Sequence, residues 1–517
     1  MSGFALLGID PDAGAAPPKK QKTIKEVVKP AMPSSLITSF QDSAGERAGA
    51  PVDLPVGTNS KQLEQLVNAL LGNAEPLPYA IYVNNVEVET SLSETLQTMD
   101  DVNYEETLQL RYQPLSVFRV RPVTRCVETM PGHTDAILHI TYSPDGTRLA
   151  SGGGDTTVRF WNVTTSMPSH TCVGHRHHVL CTAWSPDGEC FVSSDKSGEI
   201  RIWDPKTGKM RLSSALRGHT KWVTSMCFEP LHSNPAADRL ASASKDHSVK
   251  VWNVVTGRCE TTISGHLDSV ECVKWGGTGL IYTASRDRTI KVWAIDGHGR
   301  SMQKLVRTLS GHAHRINSLA MNCDYALRTG AYQLAVKVKR GAEKNKEEPA
   351  EPQAKALEKY KSVVGTGGSG ERLVSGSDDF TLFLWAPQED KKPLARLVGH
   401  QALINHIAFS PDGRFLASGS FDKKVKIWCG VSGKFMHTLN GHVGSVYQVT
   451  WSADSAYVVS ASKDSTLKVW NMNGKEPTKA MNTLAGHMDE VYALDWSPNG
   501  SQCASGSKDR TIKIWRH

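Results

Sequence analysis

The sequence predicts a mainly-β molecule: an eight-bladed propeller of four-stranded sheets, preceded by a small α+β domain. Three observations predict it. A unit that opens on Gly-His and closes on a strand-borne Trp recurs from residue 130 onward, with its glycine at 132, 174, 218, 265, 311, 399, 441 and 486. Most steps are 42 to 47 residues, the period of a propeller blade. Inside the unit an Asp and a hydroxyl residue keep fixed places. Ahead of it, residues 34–115 mix strand-like and helix-like patterns that the repeat does not share.

Taken in order, residues 1–33 form a basic, Pro-rich arm with "PPKKQKTIKEVVKP" at 17–30. Its charge and few aromatics predict disorder. "KKQK" reads equally as a nuclear address, a nucleic-acid contact or a solvated tail.

In 34–115, "SSLITSF" and "APVDLPV" read as a hairpin. "NSKQLEQLVNALLG" is a helix with Asn59 or Ser60 as cap, Leu63, Leu66, Val67 and Leu70 on one face, and Gly72 as stop. "YAIYVNN" and "VEVE" flank an Asn-Asn turn, "SLSETLQTM" is a short helix and "TLQLRY" a last strand. The order ββαββ(α)β is that of a ubiquitin-like β-grasp.

The ring is expected over 116–517. Its closing tryptophans are Trp161, Trp203, Trp252, Trp293, Trp385, Trp428, Trp470 and Trp515. The step from 311 to 399 spans 88 residues without a second Gly-His or Trp, and holds "VKVKRGAEKNKEEPAEPQAKALEKY". This predicts a charged, helix-prone insertion at about 330–370 in blade five rather than a ninth blade. Each repeat supplies the outer strand of the preceding blade and then three strands of its own, so blade eight lacks an outer strand. The alternating "SVFRVRPV", 116–123, is expected to pair beside 511–515 and close the ring, removing the exposed edges.

Six residues before the Trp stands Asp155, Asp246, Asp287, Asp379, Asp422, Asp464 or Asp509; four earlier stands Ser151, Ser242, Thr283, Ser375, Ser418, Ser460 or Ser505. This resembles the WD40 family, whose blades are knitted by a buried Asp-His-Ser/Thr-Trp chain, here exemplified by His133, Ser151, Asp155, Trp161 and by His487, Ser505, Asp509, Trp515. A histidine in a low-dielectric core needs both ring nitrogens satisfied, which a carboxylate and a hydroxyl accomplish. Blade two departs, with Ser197 where Asp is expected and Asp195 displaced, predicting a weaker or differently wired network.

Ser, His and Asp also make hydrolase triads. Seven near-copies at one spacing are a structural device, however, and no GxSxG elbow appears. "GVSGKF" lacks the length and Ser/Thr of a phosphate loop. No enzyme is predicted. Hydrophobic residues make up 39% and charged residues 21%, with no long apolar run or secretory start, so no membrane partner is expected. The ten scattered cysteines include no CxxC; Cys172, Cys181 and Cys190, nine apart, match no zinc spacing. They read as buried reduced thiols of a nuclear or cytosolic protein. Net charge is +7, yet residues 51–115 hold ten acidic and two basic side chains. An acidic module on a basic body points to two kinds of partner.

Two features carry a closer resemblance: the small domain preceding an eight-bladed ring, and the phrases "RYQPLSVFRVRPVTRC", "PGHTDAIL", "LRGHTKWVTS", "CVKWGGTGLIYTASRDRT", "GHQALINHIAFSPDGRF" and "GHVGSVYQVTWS". Over about 34–517 the chain resembles the Notchless family of large-ribosomal-subunit assembly factors, with an N-terminal ubiquitin-like NLE domain. The resemblance implies a monomeric, non-catalytic coupling in the nucleolus and nucleoplasm. Its ring would anchor to the pre-60S particle, rRNA and ribosomal proteins included. Its small domain would be gripped by the metal-dependent adhesion-type (MIDAS) domain of the AAA+ ATPase midasin. There a loop carboxylate completes the partner's Mg2+ shell; the matching position is Glu105, with Glu106 as register alternative. A hard cation with an open oxygen site gains from such a ligand. The other reading, a signalling or ubiquitin-pathway adaptor such as a Notch-pathway modulator, would use an apolar patch on the small domain's sheet instead.

On the ring, the residues four after each Gly surround one mouth of the channel: Ala136, His178, Trp222, Ser269, Arg315, Leu403, Ser445 and Glu490. Trp222 beside Lys221 is the leading contact candidate, and Arg176, His177 and His178 add donors suited to phosphate. Arg315 is a further candidate. No RRM, KH or zinc-knuckle signature appears.

Overall fold

The computed structural model describes residues 33–42, 47–72, 78–84, 86–88, 90–97, 99, 107–114, 120–296, 302–332, 350–365, 370–474 and 476–517. The small domain runs β1 (Ser35–Gln41), β2 (Val52–Pro55), α1 (Ser60–Leu71), β3 (Tyr79–Val83), β4 (Val86–Glu87), α2 (Leu92–Gln97) and β5 (Leu108–Pro114). Its sheet order is β2-β1-β5-β3-β4, with β1 and β5 parallel from Thr38↔Leu108. The helix begins and ends as its sequence demands. The Asn59 backbone N–H donates to the Gln62 side chain at 3.0 Å, and Gly72 takes the left-handed conformation, φ 65°, returning its N–H to the Ala69 carbonyl. Leu63 and Val67 of α1 pack with Phe40, Ile81, Leu96 and Leu110 in one closed core.

Among the described residues the remaining sheets are eight, all of four antiparallel strands except blade two, which has three. There the outer strand shrinks to two isolated bridges, Ile200↔Leu216 and Trp203↔Met210. Blade eight consists of Val491–Trp496, Cys503–Ser507, Thr511–Arg516 and β6 (Arg125–Pro131). An N-terminal strand does close the ring, but it is 125–131 and not 116–123. Pairing begins where the Thr124 N–H reaches the Arg516 carbonyl at 2.8 Å and continues from Arg516↔Arg125 to Thr511↔Pro131. The earlier segment is spent otherwise. Val120 and Val123 are inserted into the apolar core of blades seven and eight with Ala453 and Trp496. The Val120 N–H is taken by Asp454 at 2.8 Å, and Pro122 has no N–H for a ladder. Residues 116–119 lie outside the described residues.

The insertion of blade five also starts earlier than expected. The chain leaves the inner strand at Met321 and rejoins the sheet at Leu373. In between lie α3 (Asp324–Thr329) and α4 (Ala350–Val364). Helix α3 crosses the floor of the central channel: Asp324 pairs with Lys274 of blade four at 2.9 Å, and Arg328 pairs with Asp495 of blade eight. Those blades face each other across an eight-membered ring. Tyr325 donates to the Pro498 carbonyl at 3.3 Å, and Tyr332 to the Asp187 carbonyl of blade two at 3.1 Å. Helix α4 lies against blades three and four, where Tyr360 stacks on His232 at 4.7 Å and shares Glu371 with Tyr282. Above this floor is a cavity of about 370 Å³ lined by His139, Lys274, His406, Gln448 and Asp495 among others.

The small domain sits on the same side as the insertion. Glu87 forms an ion pair with Arg414 of blade six, and Gln113 donates to the Ser362 carbonyl of α4 at 3.3 Å. Tyr82, whose phenol pKa burial pushes well up, is covered in this seat. No helix among the described residues is long and apolar enough to cross a membrane.

Candidate functional site

Every blade carries a complete tetrad. In blade one, His133 Nδ1 lies 2.9 Å from Asp155 and its Nε2 lies 2.8 Å from Ser151, whose oxygen accepts the Trp161 indole N–H at 3.0 Å. In blade eight the same distances are 2.7 Å to Asp509, 2.8 Å to Ser505, and 2.7 Å from Trp515 to Ser505. A carboxylate only accepts, so Nδ1–H donates to it, and Nε2 is left to accept the hydroxyl proton. Burial pushes Asp155 up, but the hydrogen bonds from His133 and its neighbours outweigh this and hold the carboxyl well below its usual range. The hydroxyls, such as Ser151 and Ser505, are fully buried, out of reach of any substrate. They hold the loops rather than perform chemistry.

Blade two keeps the four side chains of the tetrad but wires its carboxylate differently. Asp195 accepts the Ser197 and Glu199 backbone N–H groups, where the tetrad Asp of each other blade accepts the N–H of the residue after the His, as Asp155 does from Thr134. Six other blades place a Ser two residues before the tetrad Asp; here Asp195 takes that place and Ser197 takes the place of Asp. His175 still meets Asp195 at 3.1 Å and Ser193 at 2.6 Å, and Trp203 donates to Ser193 at 2.7 Å. Ser197 donates back to Asp195 Oδ1. Of the two expectations, the chain of side chains is complete rather than weakened, and the different wiring lies in the backbone partners of Asp195.

The tetrads fix what projects at the Gly-His end. In each blade the carbonyl of the residue four after Gly accepts an N–H from the turn before the third strand, as in Lys196 to His178 (3.1 Å), Lys245 to Trp222 (2.9 Å) and Asp378 to Arg315 (3.1 Å). The eight positions are thus equivalent from blade to blade and each is paired with a member of a second set, which includes Lys196, Lys245, Arg286, Lys463 and Lys508. Sequence reasoning missed this set, although its spacing of seven before the Trp was available.

The candidates fare differently. Trp222 is exposed, with Lys196 Nζ 4.5 Å and Lys245 Nζ 4.4 Å from its ring centroid. Lys221, Arg176, His177 and His178 are all exposed beside it or in the next blade. Arg315 is different: its guanidinium is turned onto Asp378, which neutralises it. Glu105 and Glu106, which precede β5 in the sequence, lie outside the described residues. Among the described residues no group of three or more His, Cys, Asp or Glu is arranged around a common metal position. Of the ten thiols, five are buried, four are half-buried and Cys259 is exposed, so the all-buried expectation is corrected there.

Comparison with known proteins agrees with this architecture. Residues 36–96 match the NLE (NUC135) domain. Seven segments from 124–162 to 478–516 match the WD domain, G-beta repeat, and pass over 295–390, where the insertion divides the repeat. The crystal structure of the computationally designed protein Ika8 superposes with a TM-score of 0.56 at 24% identity, over 77% of this chain and 100% of that one. That likeness bears on the fold alone. Ribosome assembly protein 4 of Saccharomyces cerevisiae is 42% identical over 446 residues, 82% of this chain and 84% of that protein. Protein Notchless of Drosophila melanogaster is 47% identical over 396 residues, 76% and 78% respectively, and the Notchless protein homolog of Arabidopsis thaliana is 47% identical over 395, 76% and 80%. With an NLE domain in front and this identity over three quarters of its length, the chain belongs to the Notchless family.

Proposed function

We propose that this chain is a non-catalytic assembly factor of the large ribosomal subunit, working in the nucleolus and nucleoplasm as a coupling between cargo and motor. The ring anchors to the precursor particle, and the NLE domain is gripped by midasin, so that ATP hydrolysis in the motor remodels the particle. The observation that carries this reading is the 42% identity to yeast Ribosome assembly protein 4 over 82% of the chain. The buried tetrads suit a rigid anchor. Part of the small domain's sheet, at Tyr82 and Gln113, is turned against the ring, which suits a domain held to its anchor.

The contact with midasin is assigned to Glu105, with Glu106 adjacent. A carboxylate is the hard oxygen donor that magnesium held by the partner would accept. This chain supplies the ligand's position and charge.

Two measurements test the reading. In a sucrose gradient the protein should co-migrate with large-subunit precursors; a wholly light distribution would return the adaptor reading. Purified Glu105→Ala should keep its fold and lose binding to midasin's metal-binding domain in magnesium, and binding at wild-type affinity would refute the assignment.

A further inference from the structure

The surface over blades two and three combines features that the tetrads do not require. Trp222 keeps 37% of its surface exposed, although a large apolar ring is normally covered. Two ammonium groups lie over it from neighbouring turns, Lys196 from blade two and Lys245 from blade three, at 4.5 and 4.4 Å from the ring centroid. They are therefore within about 9 Å of each other. Lys221 stands exposed next to Trp222, and Arg176, His177 and His178 continue the surface across blade two. The other basic turns differ. Arg315 is held by Asp378, Lys463 faces Glu490 at 3.8 Å, and Lys508 faces Asp489 at 3.5 Å. No carboxylate lies within ion-pair distance of Lys196, Lys221 or Lys245 among the described residues. Like charges are gathered around one open indole, which an arriving anion would relieve.

We infer that Trp222, Lys196, Lys221 and Lys245 form a single-stranded RNA site, in which one unpaired base stacks on the indole and the lysines hold the flanking phosphates. Flat apolar face and clustered flexible cations are the two parts of such sites: stacking tolerates any base, and the ammoniums follow the backbone. The lysine stems are long enough for an arriving base to displace one ammonium onto the adjoining phosphate. An acidic peptide would satisfy the charges but leave the indole unused, so RNA is the better match.

The inference rests on the reading of the ring as the anchor to a ribosomal precursor. The test uses the full chain and a fluorescein-labelled 20-nucleotide oligouridylate, read by anisotropy and by quenching of indole emission. Trp222→Ala should weaken binding about tenfold, and Lys196→Ala with Lys245→Ala should lower the slope of log affinity against log salt by about 1.4. Unchanged melting curves would show both variants folded. An abasic strand of equal length should bind wild type and Trp222→Ala alike. The site is overturned if wild type does not bind the oligonucleotide, if Trp222→Ala binds it as wild type does, or if polyglutamate competes better than unlabelled oligouridylate. Sedimentation separates the two readings. Wild type that travels with precursors while Trp222→Ala binds RNA normally overturns this site alone. Wild type that binds RNA through Trp222 yet never travels with precursors overturns the assembly reading alone.

Discussion

Asp195 shows how much freedom a buried hydrogen-bond chain leaves to the sequence. The carboxylate must reach His175 Nδ1 and accept from Ser197, but either of two places in the turn presents it. Gly198, φ 93°, lets the transposed turn close beside the Lys221 carbonyl. Exchanging the pair, Asp195→Ser with Ser197→Asp, should therefore change stability little, whereas Asp195→Ala strands a buried His175 N–H and should cost about 2 kcal/mol; urea denaturation distinguishes the two. Burial works against the Asp195 charge, but bonds from His175 and Ser197 hold its pKa at about 2. Its stabilisation is thus complete above the unfolded value near 4 and lost only as pH falls through about 2. The channel histidines respond earlier. Burial lowers His139 and His406 to about 4, Asp495 opposing it at His139 and Lys274 reinforcing it at His406. Unfolded histidine titrates near 6.5, so acid feeds protons to the unfolded chain first. The urea midpoint should fall as pH drops from 6.5 to 4, with a slope approaching two protons, and His139→Gln with His406→Gln should flatten it. An unchanged slope would show that neither ring is held neutral by the fold. Seven tetrads were legible because a repeated spacing averages out local noise. The eighth was not, because spacing records the backbone place and not where a side chain reaches.

At the scale of elements, legibility followed periodicity. Helix α1 was readable to its caps, since twelve residues give three turns of apolar pattern and two cap residues. Helix α3 was not, for its six residues "DYALRT" are too few for a period. The clasp was placed one segment early because "SVFRVRPV" alternates like a strand; alternation cannot tell a ladder from an extended segment whose valines enter a core. What fixes α3 is charge at both ends, Asp324 to Lys274 and Arg328 to Asp495. One short helix thereby ties blade four to blade eight across the channel. Each of Lys274→Asp and Asp324→Lys should cost about 1–2 kcal/mol, since both side chains are part exposed. The double reversal should recover most of it in a denaturation cycle. Additive losses would mean that the floor is held by packing and not by this pair.

For the molecule as a whole, the proposed coupling role requires that force applied at the NLE domain enter the ring somewhere. Two routes join them: the chain at 115–124, anchored by Val120 and Asp454, and the seat, where Glu87 meets Arg414 and Gln113 meets α4. A tether alone would let the small domain swing and waste the motion. On the proposed role the seat would direct load into blade six through Glu87 and Arg414, and through α4 and α3 into blades three, four and eight. Arg414 is the centre of that seat, since it also neighbours Asp412 at 3.9 Å and packs over Phe415. Arg414→Glu sets like charges against each other at Glu87 and should release the domain without unfolding either part. X-ray scattering should then show a larger radius of gyration and two bodies in place of one. Glu87→Arg on that background should restore the wild-type profile. If Arg414→Glu leaves the scattering unchanged, the linker alone holds the two bodies together. If it releases the domain while particle remodelling proceeds at the wild-type rate, tension reaches the ring through the tether, and the seat serves only to cover the small domain's sheet.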